Sequence, residues 1–198
     1  MKLAETYTKN QIDKLGNALI FLCNNMEALT KTHVLKLVFI IEEISIQRFG
    51  IPFFDLKFQV WHLGPVAKDL YVELDENPVL LSEFIYKENM VDGKSLIKPK
   101  KDFCDDEFSD VEIDLLQEVA DRFKYCTANE LINHTHKKNS LWYITASENG
   151  IAELLENKKI MTTEIEIDLT KIISDDEYKM SLFQTHKEFL KESRLLKL

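Results

Sequence analysis

The residues best suited to chemistry are one cysteine and two histidines in the second half of the chain. Cys126 lies just before a predicted helix, and the N-terminal end of a helix can lower the pKa of a thiol. His134 and His136 follow it, and a thiolate beside an imidazole could act as a nucleophile. The same three side chains could bind zinc, but no HExxH motif and no paired cysteines frame them. A cysteine- or metal-dependent enzyme is therefore kept only as an alternative.

Other sequence motifs of catalysis are missing. The chain contains no GxSxG, no GxxxxGK[ST] and no GxGxxG, and its carboxylates are spread over predicted solvent-facing surfaces of helices. His33 and His62 lie far from His134 and His136 in the sequence. We therefore expect a protein that is not an enzyme, with no metal and no cofactor.

The balance of charges argues against a broad nucleic-acid interface. The chain has 198 residues, 30% of them charged, and a formal net charge of -9. Binding to duplex DNA depends on Lys and Arg that neutralise phosphates over a wide surface. Nucleic acid is therefore not an expected partner, and a promoter-binding role is kept as an alternative. An acidic surface suits a basic protein partner better.

Cysteine usage and hydropathy predict where the protein works. Cys23, Cys104 and Cys126 form no CxxC pair, which favours a reducing compartment. No apolar run approaches the roughly 18 residues that a membrane span needs, and the start of the chain, MKLAETYTKN, has no apolar signal core. We expect a cytoplasmic protein that does not enter the membrane.

Apolar residues at helical spacing predict most of the fold. Together with capping residues they predict helices over 10–25, 34–46, 110–124 and 127–136, a short helix from 140 to about 150 and a long helix after 176. The helix over 34–46 is apolar on nearly every side, so we expect it to be buried. Lys36 interrupts this apolar surface, and we expect its charge to reach solvent at the rim.

The stretch 54–71 combines an alternating segment with a sharp turn. Its side chains alternate between two faces as far as Leu63, and Gly64-Pro65 then breaks the run. Because proline suits the first turn of a helix, we expect an amphipathic helix to begin at Pro65. This corner is expected to hold Trp61 and Tyr71 in place as core aromatics.

Two further segments predict a small sheet. Asp92-Gly93 is a strong hairpin signal between the short flanks 89–91 and 94–97. The strictly alternating segment 164–169 predicts a half-buried strand that could pair with this hairpin. The expected fold class is mainly α (α+β): a compact helical domain with a small antiparallel sheet or hairpin and a C-terminal amphipathic helix.

The last predicted helix offers a candidate surface for a partner. A helix with one apolar stripe can dock on its own domain, on another protein or on a second copy of the chain. We expect this stripe to contact a partner protein, and a homodimer is a further possibility. The stripe consists of Tyr178, Leu182, Phe183, His186, Phe189 and Leu190.

A set of motifs in both halves of the chain resembles a known family. The first half contains Leu35-Lys36-Leu37-Val38-Phe39, Gly50-Ile51-Pro52-Phe53, Trp61, Gly64-Pro65-Val66 and Leu70-Tyr71. The second half contains Glu112, Leu115, Leu116, Thr127-Ala128, Leu131, Thr135-His136 and Trp142. Together they resemble the Panacea domain family, the SocA-like antitoxin domain. We assign 1–160 to this domain and 161–198 to a strand and a helix appended to it.

The resemblance implies an antitoxin of a bacterial or prophage toxin–antitoxin pair. Its partner would be a toxin protein, encoded by an adjacent gene and neutralised by direct binding. A proteolytic adaptor that delivers the toxin to a protease is the alternative. The family brings no catalytic residues, and its motif residues are expected to be structural: Trp61, Gly64, Pro65, Val66, Leu70, Tyr71, His136 and Trp142. The chain departs from the family pattern at Ile40-Ile41-Glu42-Glu43 and at Ser140-Leu141.

Overall fold

The computed structural model describes residues 7–75, 78–90, 93 and 95–196. Its helices are α1 (Lys9–Asn25), α2 (Lys31–Phe49), α3 (Lys68–Asp75), α4 (Asp110–Phe123), α5 (Ala128–Thr135), α6 (Leu141–Glu148), α7 (Ala152–Glu156), a 3-10 helix (Leu169–Ile173) and α8 (Glu177–Leu196). Its strands are β1 (Gln59–Trp61), β2 (Gly64–Val66), β3 (Ile85–Asn89) and β4 (Ser95–Pro99). The fold is mainly α with two small antiparallel sheets and a C-terminal helix, which confirms the expected fold class.

Helix α2 is the central element of the fold. Every residue from His33 to Glu42 is buried, and the helix packs against α3, α4, α5, β2 and the 3-10 helix. This confirms the burial that we expected because apolar residues lie on nearly every side of the helix. The helix ends at Gly50, whose φ of 70° is left-handed. A Cβ at Gly50 would lie 2.8 Å from the Cα of Lys179, so glycine allows both the helix end and the approach of α8.

The capping boxes expected from sequence are present. Glu112 accepts a hydrogen bond from the N–H of Ser109 at 3.0 Å, at the start of α4. Glu130 accepts one from the N–H of Thr127 at 2.7 Å, at the start of α5. These local contacts fix where both helices begin.

The expected hairpin around Asp92-Gly93 is formed by β3 and β4. The two strands pair antiparallel, with Ile85 opposite Pro99 and Asn89 opposite Ser95. Gly93 has a φ of 80°, as a tight turn requires, whereas Asp92 and Lys94 lie outside the described residues. Strand β4 is also tied to the chain before α2, because the N–H of Ile97 donates to the oxygen of Leu29 at 2.7 Å.

Two expectations about strands and helix starts were wrong. Pro65 does not begin a helix: it lies in β2, opposite Val60 of β1, and α3 begins only at Lys68. The segment 164–169 forms no full strand and does not pair with the β3–β4 hairpin. It runs beside β1 with an isolated bridge between Gln59 and Glu166. Its alternation is nevertheless real, because Ile167 is buried whereas Glu166 is exposed.

The apolar core joins the beginning, middle and later part of the chain. Leu19 of α1, Leu37 of α2 and Leu116 of α4 belong to the same buried cluster as Ile167 and Ile173. The division into 1–160 and an appended 161–198 stays a prediction. Among the helices that the structure describes, none is long and apolar enough to cross a membrane.

Candidate functional site

The family motif residues converge on the turn between β1 and β2. We call this cluster the β1–β2 corner: Trp61, His62, Gly64 and Pro65, with the side chains of Lys36, Thr135, His136 and Trp142 packed on them. These side chains come from α2, from the end of α5 and from α6. Residues far apart in the sequence therefore meet at one point of the fold.

Gly64 is the tightest point of the corner. Its φ of 100° is one that side-chain-bearing residues rarely adopt. A Cβ at this position would lie 2.8 Å from Oγ1 of Thr135, 3.1 Å from Cε1 of His136 and 3.1 Å from Nζ of Lys36. The motif therefore requires glycine for both backbone conformation and space.

Lys36 is buried, which corrects the expectation that its charge reaches solvent at the rim. Its side chain is almost fully enclosed, and Nζ donates a hydrogen bond to the main-chain oxygen of Pro65 at 2.8 Å. Because burial penalises the ammonium form, the pKa of Lys36 falls to about 7. The lysine secures β2 to the central helix from inside the protein.

His136 and Trp142 hold the opposite side of the corner through main-chain oxygens. The ring nitrogens of His136 lie 2.7 Å from the oxygen of Ile132 and 3.1 Å from that of His62. Trp142 donates from Nε1 to the oxygen of Trp61 at 2.9 Å, and its ring centroid lies 3.9 Å from that of His136. Burial lowers the pKa of His136. These contacts support the structural role expected for both residues.

Trp61 and Tyr71 form the outer part of the motif. Their ring centroids are 4.9 Å apart in an edge-to-face arrangement, and Trp61 donates from Nε1 to the oxygen of Thr163 at 3.2 Å. Lys31 Nζ lies 3.2 Å from the ring centroid of Tyr71. Both rings are half-buried and line a pocket of about 240 Å³.

A family model described as antitoxin SocA-like, Panacea domain, matches residues 34–143, which include the whole β1–β2 corner. The chain belongs to this family. Comparisons with curated proteins and with solved structures found no match. Family membership supports an antitoxin-like role and suggests a toxin as the partner.

The cysteine and histidine residues of this Panacea domain serve separate contacts. The main-chain oxygen of Cys126 lies 3.0 Å from Nε2 of His33, which ties the turn before α5 to the start of α2. His134 packs edge-to-face on Phe123 with centroids 5.2 Å apart, whereas His136 belongs to the corner. Within the described residues, no group of three or more His, Cys, Asp or Glu is arranged to hold a metal ion.

Helix α8 lies beyond the Panacea match. Its predicted apolar stripe has a half-buried part and an exposed part. Leu182, Phe183, His186 and Leu190 are half-buried, and Phe183 packs against the apolar core. Tyr178 and Phe189 are 73% and 63% exposed. Leu195, which the sequence analysis did not include, is exposed as well. Partner contact by this stripe stays a prediction, and only part of the stripe is accessible.

A group of charges that the sequence analysis missed attaches α8 to the Panacea domain. Asp55 is buried at a φ of 58°; Lys187 contacts one of its carboxylate oxygens, and Nη2 of Arg194 lies 3.0 Å from the other. Nearby, Glu42 accepts a hydrogen bond from the N–H of Phe54 at 2.7 Å. Burial raises the pKa of Glu42 to about 7. In the sequence, the sign of this group was the charged residue Glu42 within the apolar run 34–46.

Proposed function

We propose that this protein is an antitoxin that neutralises a cognate toxin by binding it directly, as one half of a bacterial or prophage toxin–antitoxin pair. The observation that carries the proposal is the Panacea match over residues 34–143. The toxin is the product of an adjacent gene, and the two proteins meet in the cytoplasm.

The contacts of the β1–β2 corner support a binding role for the rest of the surface. The polar groups of Lys36 and Trp142 are directed at main-chain oxygens of the corner, so they are used in holding the fold. These contacts favour a structural role for both side chains, since a main-chain oxygen is a hydrogen-bond partner and not a substrate. Toxin contact then falls to exposed side chains.

Helix α8 supplies one such surface in this proposal. Tyr178, Phe189 and Leu195 are exposed apolar side chains on one helix, and large apolar side chains are typical anchors of protein interfaces. Deleting α8 would be a poor test, because Asp55 would lose the cations that contact it. Single substitutions at exposed positions test the surface without that damage.

The experiment is co-expression with the product of the adjacent gene. We expect that product to arrest growth alone, and to be harmless and to co-purify when this chain is present. Phe189→Ser should weaken co-purification, whereas Val111→Ser, which removes an apolar side chain 51% exposed on α4, should not. A harmless neighbour that does not co-purify would overturn the proposal.

The adaptor alternative differs in the fate of the toxin. A neutralising antitoxin leaves the toxin at a steady level in a stable complex, whereas an adaptor lowers the amount of toxin over time. Immunoblotting of the toxin after synthesis is blocked separates the two. Light scattering of the chain alone then tests the homodimer.

A further inference from the structure

Two adjacent depressions lie at the N-terminal end of α2. The first, which we call the aromatic pocket, is the pocket of about 240 Å³ beside Trp61 and Tyr71. The second, which we call the lysine groove, has a volume of about 800 Å³ and runs between the β3–β4 hairpin and the turn from α4 to α5. Both are lined by Lys31 and Thr32, so they form one continuous surface.

The lysine groove gathers positive charge on an acidic protein. Lys31, Lys87 and Lys124 line it, against the carboxylates of Glu27 and Asp75. Asp75 is already engaged, because Lys31 lies 2.5 Å from its carboxylate. The chain as a whole carries a net charge of -9, so this groove is complementary to an acidic ligand where most of the surface is not.

Two helix ends also line the groove, the first turns of α2 and α5, at Thr30–Thr32 and at Thr127–Asn129. Both ends are already capped, because Oγ1 of Thr30 accepts a hydrogen bond from the N–H of His33 and the Glu130 carboxylate accepts one from the N–H of Thr127. The positive charge of the groove therefore comes from its lysines.

Exposed apolar side chains border both depressions. Tyr125 is 75% exposed at the lysine groove, and Leu63 and Met161 are 48% and 53% exposed at the aromatic pocket. Large apolar side chains beside a concave, partly charged surface are typical of a binding interface. The surface therefore suits a chain segment with both acidic and apolar side chains.

We propose that the lysine groove and the aromatic pocket bind an acidic segment of the partner toxin. One large apolar side chain of that segment enters the aromatic pocket beside the packed rings of Trp61 and Tyr71, and the carboxylates of the segment meet Lys87 and Lys124 in the groove. This inference rests on the proposed function, and it requires the toxin to carry an acidic segment with a large apolar side chain. It also makes α8 a second contact surface instead of the main one.

The first test compares two charge reversals of equal size. Lys124→Glu places a negative charge in the groove, whereas Lys138→Glu makes the same change at an exposed residue on the turn after α5, outside the groove. Calorimetry with the adjacent-gene toxin should show binding weakened about tenfold or more by Lys124→Glu, and less than about twofold by Lys138→Glu. Equal effects of the two variants would overturn the inference.

A second pair of variants tests the apolar rim. Tyr125→Ser and Val111→Ser both remove an exposed apolar side chain, but only Tyr125 borders the groove. We expect Tyr125→Ser to weaken toxin binding and Val111→Ser to leave it unchanged. Urea unfolding of all four variants should match the parent protein, because each substituted side chain is exposed.

A peptide probe separates failure of the inference from failure of the proposed function. The probe is a short fluorescein-labelled peptide with one phenylalanine flanked by glutamates, and its control carries lysines in place of the glutamates. We expect the fluorescence anisotropy to rise on binding for the acidic peptide and not for the lysine control. The rise should be lost with the Lys124→Glu variant. If the toxin binds but the acidic peptide does not, and the groove variants bind toxin normally, the inference is wrong while the proposed function stands. If the acidic peptide binds and no toxin does, the groove stands and the proposed function fails.

Discussion

The β1–β2 corner and the attachment of α8 both place charge inside the protein, but they satisfy it in different ways. Lys36 at the corner donates to the main-chain oxygen of Pro65, whereas Asp55 under α8 meets the side chains of Lys187 and Arg194. A main-chain oxygen is present whatever the sequence, but an ion pair needs particular residues on both sides.

This difference bears on which parts of the molecule define the fold. The corner lies wholly within the Panacea match at 34–143, and its side chains bind the backbone of the turn. The cations that hold α8 lie beyond the match, and each is more than a third exposed. The comparison predicts that changes at the corner unfold the domain, whereas changes under α8 release one helix.

The largest effect is expected from Gly64→Ala. The substitution forces an alanine to a φ of 100° and brings its Cβ to 2.8 Å from Oγ1 of Thr135. Strain and overpacking together should lower the free energy of unfolding by about 3 kcal/mol or more. Urea unfolding followed by circular dichroism measures the loss.

Gly150→Ala is the matched control for this substitution. Gly150 also has a positive φ, 66°, but no atom lies within 4 Å of an added Cβ. We expect a loss of about 1 kcal/mol there, from backbone strain alone. Equal losses at the two glycines would show that the corner is not the crowded point described above.

The next effect in size is that of Lys36→Met, and it should depend on pH. The variant leaves the Pro65 oxygen without its partner, which costs about 1–2 kcal/mol. The pKa of Lys36 is about 7 in the folded protein and 10.5 for an ordinary lysine, so between these values the unfolded chain binds more protons. The free energy of unfolding of the parent protein therefore rises with pH across this window. Since methionine cannot titrate, the deficit of the variant should grow with pH.

Glu42→Gln, close to the attachment of α8, should show the opposite dependence of stability on pH. Burial raises the pKa of Glu42 from 4.5 to about 7, so the folded protein binds more protons between these values. Its contribution to the free energy of unfolding is therefore lost as pH rises through the window. We expect the variant to remove that fall, as measured by urea unfolding at several pH values. If the free energy of unfolding of either variant differs from that of the parent by an amount constant with pH, the pKa shift assigned to that buried group is wrong.

Local signals explain which parts of this structure sequence could predict. The helices are marked by capping residues and apolar stripes within one segment, and Thr127 with Glu130 forms the cap expected. The partner of Lys36 is an oxygen 29 residues later, and that of Asp55 is 132 residues away. Alternation at 164–169 identified the buried face of the segment but could not identify β1 as its neighbour. Tertiary partners of this kind are not encoded in local periodicity.

An effect confined to one helix is expected from Asp55→Asn. Asparagine tolerates the φ of 58° at this position but carries no charge for Lys187 and Arg194. Because both cations are partly solvated, we expect the free energy of unfolding to fall by about 1–2 kcal/mol. Hydrogen exchange should show α8 opening before α2. Lys171→Met, which breaks an exposed pair with Glu148, should not change exchange in α8.

The smallest effect on stability is expected from Phe189→Ser, although Phe189 lies on a proposed contact surface for the toxin. Phe189 is 63% exposed, so its removal should change the free energy of unfolding by no more than about 0.5 kcal/mol. Leu190, the next residue, is half-buried, and Leu190→Ser should cost about 1–2 kcal/mol because apolar contacts are lost. If Phe189→Ser weakens co-purification of the toxin at unchanged stability, the exposed side of α8 contacts the partner. If it destabilises as much as Leu190→Ser, α8 uses both sides for its own packing and offers no free apolar surface.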